Sequence, residues 1–173
     1  MTIFFEKKFS RKTDFINKRL YQVLTDSFRQ SAISDIQGEN SKLKYYSSFK
    51  STAGLERYLT LVKNIKHKNA LSKFRLSCHR LNIEIGRYTR IPRNERTCPF
   101  CPGEVEDEIH FSLRCQAYNE LRESLFNYVG FITPNFINFT EQLKSHHLMT
   151  HIESMSAVAR FIYDASVTRE ANM

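Results

Sequence analysis

The sequence predicts a mainly α fold, built as a small helical domain of the size that a chain of 173 residues supports. Two observations predict it. Apolar residues recur at spacings of three and four in several stretches, which is the pattern of a helix with one buried face. Only 5 Gly and 4 Pro interrupt the chain, and 41% of its residues are hydrophobic, including 14 Phe, so we expect a core with an aromatic bias.

The first element is a predicted helix over residues 13–33, within an N-terminal helical segment assigned to residues 1–40. Thr13 or Asp14 is the expected N-cap. The apolar side chains of this helix are expected to form one stripe, comprising Phe15, Ile16, Leu20, Val23, Leu24 and Phe28. Residues 36–42, IQGENSK, are predicted to be a loop.

The next segment, residues 41–97, is a basic helical segment with helices predicted over 55–64 and 67–82. Cys78 lies on the apolar face of the second helix, so we expect a core cysteine rather than a nucleophile. That face comprises Leu71, Phe74, Cys78 and Leu81. No long helix is expected after residue 86, because Pro92 interrupts the chain and biases the residue before it towards an extended conformation.

Residues 98–115 read CPFCPGEVEDEIHFSLRC, and the spacing of their cysteines and histidine indicates a metal site. The pattern is C-x2-C-x8-H-x4-C, through Cys98, Cys101, His110 and Cys115. Three thiolates and one imidazole are the ligands that tetrahedral structural Zn²⁺ prefers, and the two prolines and the glycine near the first pair favour a tight turn. We therefore predict a Cys3His zinc knuckle, in which four protein ligands leave no open position for catalysis.

Other roles for these cysteines are less favoured. A redox C-x2-C pair needs a thioredoxin-like context, which is missing here, whereas reduced core cysteines remain an alternative. Disulfides are disfavoured because an intracellular location, nucleus or cytoplasm, is expected: only three consecutive apolar residues, 3–5, precede Lys7, and no run approaches the ~20 residues of a membrane span. No membrane partner is expected.

The last segment, residues 116–173, is expected to be helical and to pack on the knuckle. Helices are predicted over residues 117–128 and 151–169 from their apolar spacing. Between them, residues 130–139, GFITPNFINF, are predicted to be an aromatic loop.

The net charge of +8 is distributed unevenly. Residues 1–97 contain 21 Lys and Arg against 8 Asp and Glu, a net +13, and residues 98–173 contain 5 against 10, a net −5. A basic block of this size is typical of a surface that binds RNA or DNA, although a solvated basic face without a partner has the same composition. The acidic run after Cys101 is expected to be either an exposed wall of the knuckle or the start of a helix, and in either case a poor phosphate binder.

Nucleic acid contact is therefore predicted for the basic residues that precede the knuckle, with the knuckle holding them in place. Arginines at spacings of three line one side of either a helix or an extended segment. The predicted contact residues are Lys66, Lys68, Lys73, Arg75, Arg80, Arg87, Arg90, Arg93 and Arg96.

These residues also carry a resemblance to a known family. The stretch LSKFRLSCHRLNIEIGRYTRIPRNERTCPFCPGEVEDEIHFSLRCQAYNELRESLF resembles the region that follows the polymerase domain in invertebrate-type non-LTR retrotransposon reverse transcriptases. The matching elements are an R/K-rich helix, G-R-Y…I-P-R, C-x2-C, E-D-E-x-H-F and a final cysteine, and weaker similarity spans residues 43–170. The resemblance implies a zinc-binding, nucleic-acid-associated tail, with the metal on Cys98, Cys101, His110 and Cys115.

The chain is not expected to be an enzyme itself. A polymerase centre needs paired aspartates for two metal ions, and no Asp-Asp pair occurs in the sequence; a nuclease P-D…E-x-K arrangement and a Walker loop are missing as well. Two functions remain. One is a nucleic-acid-binding accessory region of a reverse transcriptase-like polyprotein, and the other is a zinc-stabilised protein-interaction domain or a degenerate fragment of such an element.

Overall fold

The computed structural model describes residues 2–38, 41–52 and 54–173, and for residues 2–13 the backbone alone. The described chain is mainly helical, as predicted. Its α-helices are α1 (Thr2–Gln37), α2 (Lys44–Ser47), α3 (Tyr58–Leu61), α4 (Ile65–Arg75), α5 (Asn82–Tyr88), α6 (Asn119–Ile132), α7 (Glu141–Thr150) and α8 (Met155–Ala171). None of the described helices has the length and apolar character needed to cross a membrane.

One hydrophobic core joins residues from 58 to 165, and α4 and α8 pack together at its centre. Leu71 and Phe74 of α4, and Val158 and Ala165 of α8, are almost completely buried. The aromatic bias expected from the composition is present. The ring of Phe111 lies 5.5 Å from Phe74, 4.8 Å from Tyr118 and 6.4 Å from Phe161, so this ring connects α4, the cysteine-rich stretch and α8.

The α1 helix contains the predicted helix over 13–33 but begins earlier, at Thr2, so the expected cap at Thr13 or Asp14 is wrong. Its apolar stripe does not face the core. The exposed fractions of the six stripe residues range from 48% for Ile16 to 74% for Phe28. Contact with the rest of the fold is made near the C-terminal end of α1, where Ile36 is buried and the helix packs on α2.

The predicted helix over 67–82 is wrong at its C-terminal end. The α4 helix ends at Arg75, and the chain then turns through Ser77 at a φ of 50°. The Cys78 N–H donates to the Lys73 carbonyl at 2.7 Å and the Ser77 N–H donates to the Phe74 carbonyl at 3.2 Å. These two bonds form a Schellman motif, which satisfies the last carbonyls of the helix. As a result Cys78 is exposed rather than in the core.

The helices on either side of α4 also differ from the prediction. Asn64 caps α4 by accepting from the Lys66 and His67 backbone N–H groups, so it cannot be the last residue of the helix predicted over 55–64. Only the short α3 forms in that range. The absence of a long helix after residue 86 is confirmed, because α5 ends at Tyr88 and one 3-10 turn follows Pro92. The C-terminal helices are α6, α7 and α8, and the aromatic loop folds as a 3-10 turn over residues 134–138 that buries Phe136.

Candidate metal centre

A short hairpin-like turn presents the first two cysteines. Thr97 and Val105 form an isolated antiparallel bridge, and the Cys98 N–H donates to the Glu104 carbonyl at 2.7 Å. Gly103 lies between them at a φ of 82°, in the left-handed region that glycine enters without strain. The turn that the C-x2-C-P-G sequence favours is therefore formed, and both thiols are buried.

The other two residues come from one turn of π-helix, His110–Arg114. Asp107 caps this turn, because its carboxylate accepts from the His110 N–H at 2.8 Å. The Cys115 N–H donates to the His110 carbonyl at 2.8 Å. The wider π-helical turn brings His110 and Cys115, five residues apart, to the same side of the chain.

Cys98, Cys101, His110 and Cys115 form one cluster, whose ligand atoms all lie within 4.8 Å of one another. The Sγ of Cys115 is 3.7 Å from that of Cys98 and 3.8 Å from that of Cys101. His110 is only 1% exposed, and neither of its ring nitrogens has a hydrogen-bond partner. A buried imidazole without partners is costly unless something else binds it, so the donor set fits a metal ion.

The electrostatics of the cluster point the same way. Burial raises the pKa of Cys98, and it raises the pKa of Cys115 to about 12. Burial also lowers the pKa of His110, which favours the neutral imidazole that coordinates metals. The protein alone does not stabilise thiolates here, and a bound cation would do so while displacing the thiol protons.

A second layer of side chains holds the cluster in place. The buried Arg122 of α6 donates from Nε to the Ser112 carbonyl at 3.1 Å and from Nη2 to the Cys115 carbonyl at 2.5 Å. The hydroxyl of Tyr118 is buried without a partner, and burial raises the pKa of this phenol. The backbone at the last cysteine is thus fixed from α6, a role that the sequence did not reveal.

The acidic run leads into the start of a helical turn at residue 108, one of the two expected alternatives, and only Glu104 of its acidic residues is exposed, so the expectation of an exposed wall is wrong for the others. Glu106 is 1% exposed and pairs with Arg169 of α8 at 2.7 and 2.8 Å. Glu108 is also buried, and it accepts from Ser77 at 3.0 Å and lies 3.1 Å from the His79 ring. Burial raises the pKa of Glu108, but the contacts with His79 and Ser77 outweigh it and the net shift is downwards.

Arg75 was predicted to contact nucleic acid, and the structure places it in the core instead. It is 3% exposed, its Nη2 lies 2.9 Å from a carboxylate oxygen of Glu56, and it donates to the Met149 carbonyl. Its guanidinium lies 4.5 Å from the Phe49 ring centre and 4.9 Å from that of Tyr58. The position of Arg75 on the inner face of α4 explains the error.

Arg96 is also structural. It is half-buried and donates from Nε to the Ile91 carbonyl at 2.9 Å and from Nη1 to the Ile83 carbonyl at 2.8 Å. Lys68 is half-buried on α4. The remaining predicted contact residues are exposed: Lys66, Lys73, Arg80, Arg87, Arg90 and Arg93. Arg90 lies two residues after the end of α5, at a φ of 59°.

The exposed cations line two clefts that meet at the turn after α4. One cleft, of about 390 Å³, is lined by Arg87 and Arg93, together with Lys42 and Lys44, which the sequence reasoning did not single out. The other, of about 310 Å³, lies between α4 and α8 and is lined by Lys66, Lys73 and Arg80. The Nζ of Lys42 is 3.2 Å from the Sγ of Cys78, so Lys42 lies between the clefts.

Acidic residues near these cations reduce the positive charge of the two clefts without cancelling it. Arg87 lies 3.6 Å from Glu84, Arg93 lies 3.7 Å from Asp107, and Arg80 lies 3.9 Å from Glu170. These distances exceed those of charge-assisted hydrogen bonds, so the guanidinium donors stay available. We call six of the exposed or half-exposed cations along the two clefts the basic strip: Lys42, Lys66, Lys73, Arg80, Arg87 and Arg93.

Comparison of the chain with protein-family models, with curated proteins and with solved structures finds no match.

Proposed function

We propose that this chain is a nucleic-acid-binding accessory region of a retrotransposon reverse transcriptase-like protein, stabilised by Zn²⁺ and without polymerase or nuclease activity of its own. The observation that supports binding is the basic strip, in which cations from α4, α5, the turns that follow them and the segment before α2 lie along two clefts that border the turn after α4. A phosphate backbone binds along such a series of positive charges. The link to retroelements rests on the sequence resemblance.

Zinc is proposed as the metal because of the donor chemistry and the spacing. A tetrahedral ion with Zn–S bonds of about 2.3 Å separates its thiolate sulfurs by about 3.8 Å, and the Sγ of Cys115 lies 3.7 Å from that of Cys98 and 3.8 Å from that of Cys101. Cys98, Cys101, His110 and Cys115 would hold it. The ion would supply folding free energy, which fixes the turn that carries Arg93 and Arg96 against α5.

Unpaired bases also have a site to stack on. Tyr88 is 72% exposed and follows Arg87 at the end of α5. Aromatic side chains beside arginines bind single-stranded RNA or DNA by stacking on bases while the cations hold phosphates.

The experiment is a salt titration of oligonucleotide affinity by fluorescence anisotropy. Each phosphate contact contributes about −0.9 to the slope of log K against log salt on duplex DNA, so four contacts predict a slope of roughly −3 to −4. The triple variant Arg80→Ala, Arg87→Ala, Arg93→Ala should flatten the slope by about 2 to 3. The matched control Lys18→Ala, Arg29→Ala, Arg160→Ala removes the same charge from exposed positions outside the strip.

If the strip variant and the control bind alike, or if affinity does not depend on salt, nucleic acid is not the ligand of this surface. The protein-interaction function would then be favoured.

A further inference from the structure

The α1 helix has an apolar face that no other part of the described chain covers. Residues 14–24 are exposed without exception, and among them Leu20, Val23 and Leu24 are 55%, 53% and 68% exposed. An isolated helix is only marginally stable in water unless it packs an apolar face. Contiguous exposed apolar side chains of this kind mark interaction sites.

The stripe is narrower than its sequence spacing suggests. At about 100° per residue, Ile16, Leu20, Val23 and Leu24 fall within an arc of about 100°, and Phe28 extends this arc to about 140°. Phe15 lies about 80° outside the arc, so it is exposed on another side of the helix despite its place in the predicted stripe. The face that needs a partner is formed by Ile16, Leu20, Val23, Leu24 and Phe28.

We propose that this face binds the same face of a second copy of this chain, with the two α1 helices antiparallel. The charged residues beside the stripe favour this antiparallel orientation. Arg19 and Asp26 lie on one edge of the stripe, seven residues apart, and both are exposed. In an antiparallel pair, each edge of the stripe on one helix lies beside the same edge of the stripe on the other helix. Charges at such flanking positions set the orientation of paired helices.

In the proposed pair, a two-fold axis crosses both helices near residues 21 and 22. Each residue then lies opposite the residue of the other copy that makes their two numbers sum to 43 or 44. Leu20 then faces Val23 and Leu24, and Ile16 faces Ser27 and Phe28. Arg19 of each copy falls opposite residue 24 or 25 of the other, one to two residues or about 1.5–3 Å along the axis from Asp26. Its long side chain spans this offset, which forms two opposite-charge pairs. In a parallel pair the same edge would face Tyr21 and Phe28, which offer Arg19 and Asp26 no charged partner.

The antiparallel arrangement also leaves room for the folded bodies. The α1 backbone is helical over Thr2–Gln37, about 54 Å at 1.5 Å per residue. The two-fold axis lies near the middle of α1. The C-terminal end of α1, which joins the rest of the fold, therefore lies beside the N-terminal end of the other α1. The two bodies are therefore at opposite ends of the pair. This inference does not depend on nucleic acid binding.

The test is sedimentation equilibrium of the whole chain over about 1–100 μM, which covers dissociation constants in the micromolar range. We expect a monomer–dimer equilibrium. Leu20→Asp should abolish it and Lys18→Asp should not, since both positions are exposed in the single chain but Lys18 lies away from the paired face and at least about 80° from Arg19 and Asp26. Circular dichroism of each variant controls for folding. We expect the spectrum of the wild type, because neither side chain packs in the core.

Orientation is tested by exchanging charges. Arg19→Asp and Asp26→Arg should each weaken the dimer by about tenfold or more, since each places like charges together twice, and the double variant should restore it. A wild-type chain that is monomeric throughout, a Leu20→Asp variant that still dimerises, or a double exchange that does not restore the dimer would overturn the proposal.

Discussion

Glu106 and Arg169 form a bidentate ion pair across 63 residues of sequence, with Nε and Nη2 donating to the two carboxylate oxygens at 2.7 and 2.8 Å. Both side chains are buried. The Asn82 backbone N–H donates to the same carboxylate at 2.7 Å. One acidic residue inside the cysteine-rich turn thus connects α8, the start of α5 and the metal centre.

Removing one side of this pair should be strongly destabilising. Arg169→Met leaves the Glu106 carboxylate buried without its cation, and such a loss costs about 3–5 kcal/mol. The double variant Arg169→Met, Glu106→Gln should recover part of this loss, because no buried charge remains. Urea unfolding measures both, and Arg160→Met, at a position 74% exposed, is the control expected to cost under about 1 kcal/mol. Equal losses for Arg169→Met and the control would contradict a structural role for the pair.

Arg75 should separate stability from binding. Arg75→Met removes the Glu56 pair and the contacts over Phe49 and Tyr58, so we expect a loss of about 2–4 kcal/mol in the free energy of unfolding. The salt slope for oligonucleotides should stay the same, because the guanidinium is buried. A flattened slope in the folded variant would show that Arg75 reaches the ligand.

The ion pair of Glu56 predicts a pH dependence. Burial raises the pKa of Glu56, but Tyr46, Arg75 and Lys50 outweigh it and the net shift is downwards. The stability that the carboxylate contributes is therefore fully present above its unfolded pKa of about 4.3 and is lost as the pH falls through its folded pKa. The difference in unfolding free energy between wild type and Glu56→Gln should shrink from pH 7 towards pH 4 and below. Glu153→Gln, at an exposed position, is the matched control, and a difference that stays constant with pH would contradict this account.

Gly86 is required by a close approach. A Cβ at this position would lie 2.6 Å from Cγ and 2.8 Å from Cδ of Arg96, whose guanidinium is fixed on two backbone carbonyls. Gly86→Ala should therefore cost about 1–3 kcal/mol. In an Arg96→Ala background the same change should cost nothing, or stabilise by up to about 1 kcal/mol, because alanine favours helix. Thermal unfolding of the four variants completes the cycle, and an equal cost in both backgrounds would exclude this contact as the cause.

The four residues of the cluster could be grouped from sequence because they lie within 18 residues and their side chains have few other uses in that pattern. Turn-forming residues and the metal-ligand spacing are both local, and the structure brings the same four together. The mainly helical fold was predictable for a similar reason, since the spacing of apolar residues reports helices directly.

Helix ends and the burial of charge were less predictable. The α4 and α5 helices end at Arg75 and Tyr88, and the chain then turns through Ser77 and Arg90 at positive φ, where glycine would have signalled the end. The charge pattern did not distinguish the buried Arg75 from the exposed Arg80, because burial depends on partners such as Glu56 that are distant in sequence. The stripe on α1 predicted a helix correctly but did not reveal what it packs against.

Metal analysis of the purified chain tests the central claim that Zn²⁺ binds the four-residue cluster and fixes the turn that carries Arg93. We expect about one zinc per chain in the wild type and in Cys78→Ser, whose thiol is exposed and outside the cluster. Cys115→Ser should lose the zinc, and hydrogen exchange over residues 90–120 should rise as the turn loosens. A chain that contains no zinc, together with a Cys115→Ser variant as stable as the wild type, would contradict the account.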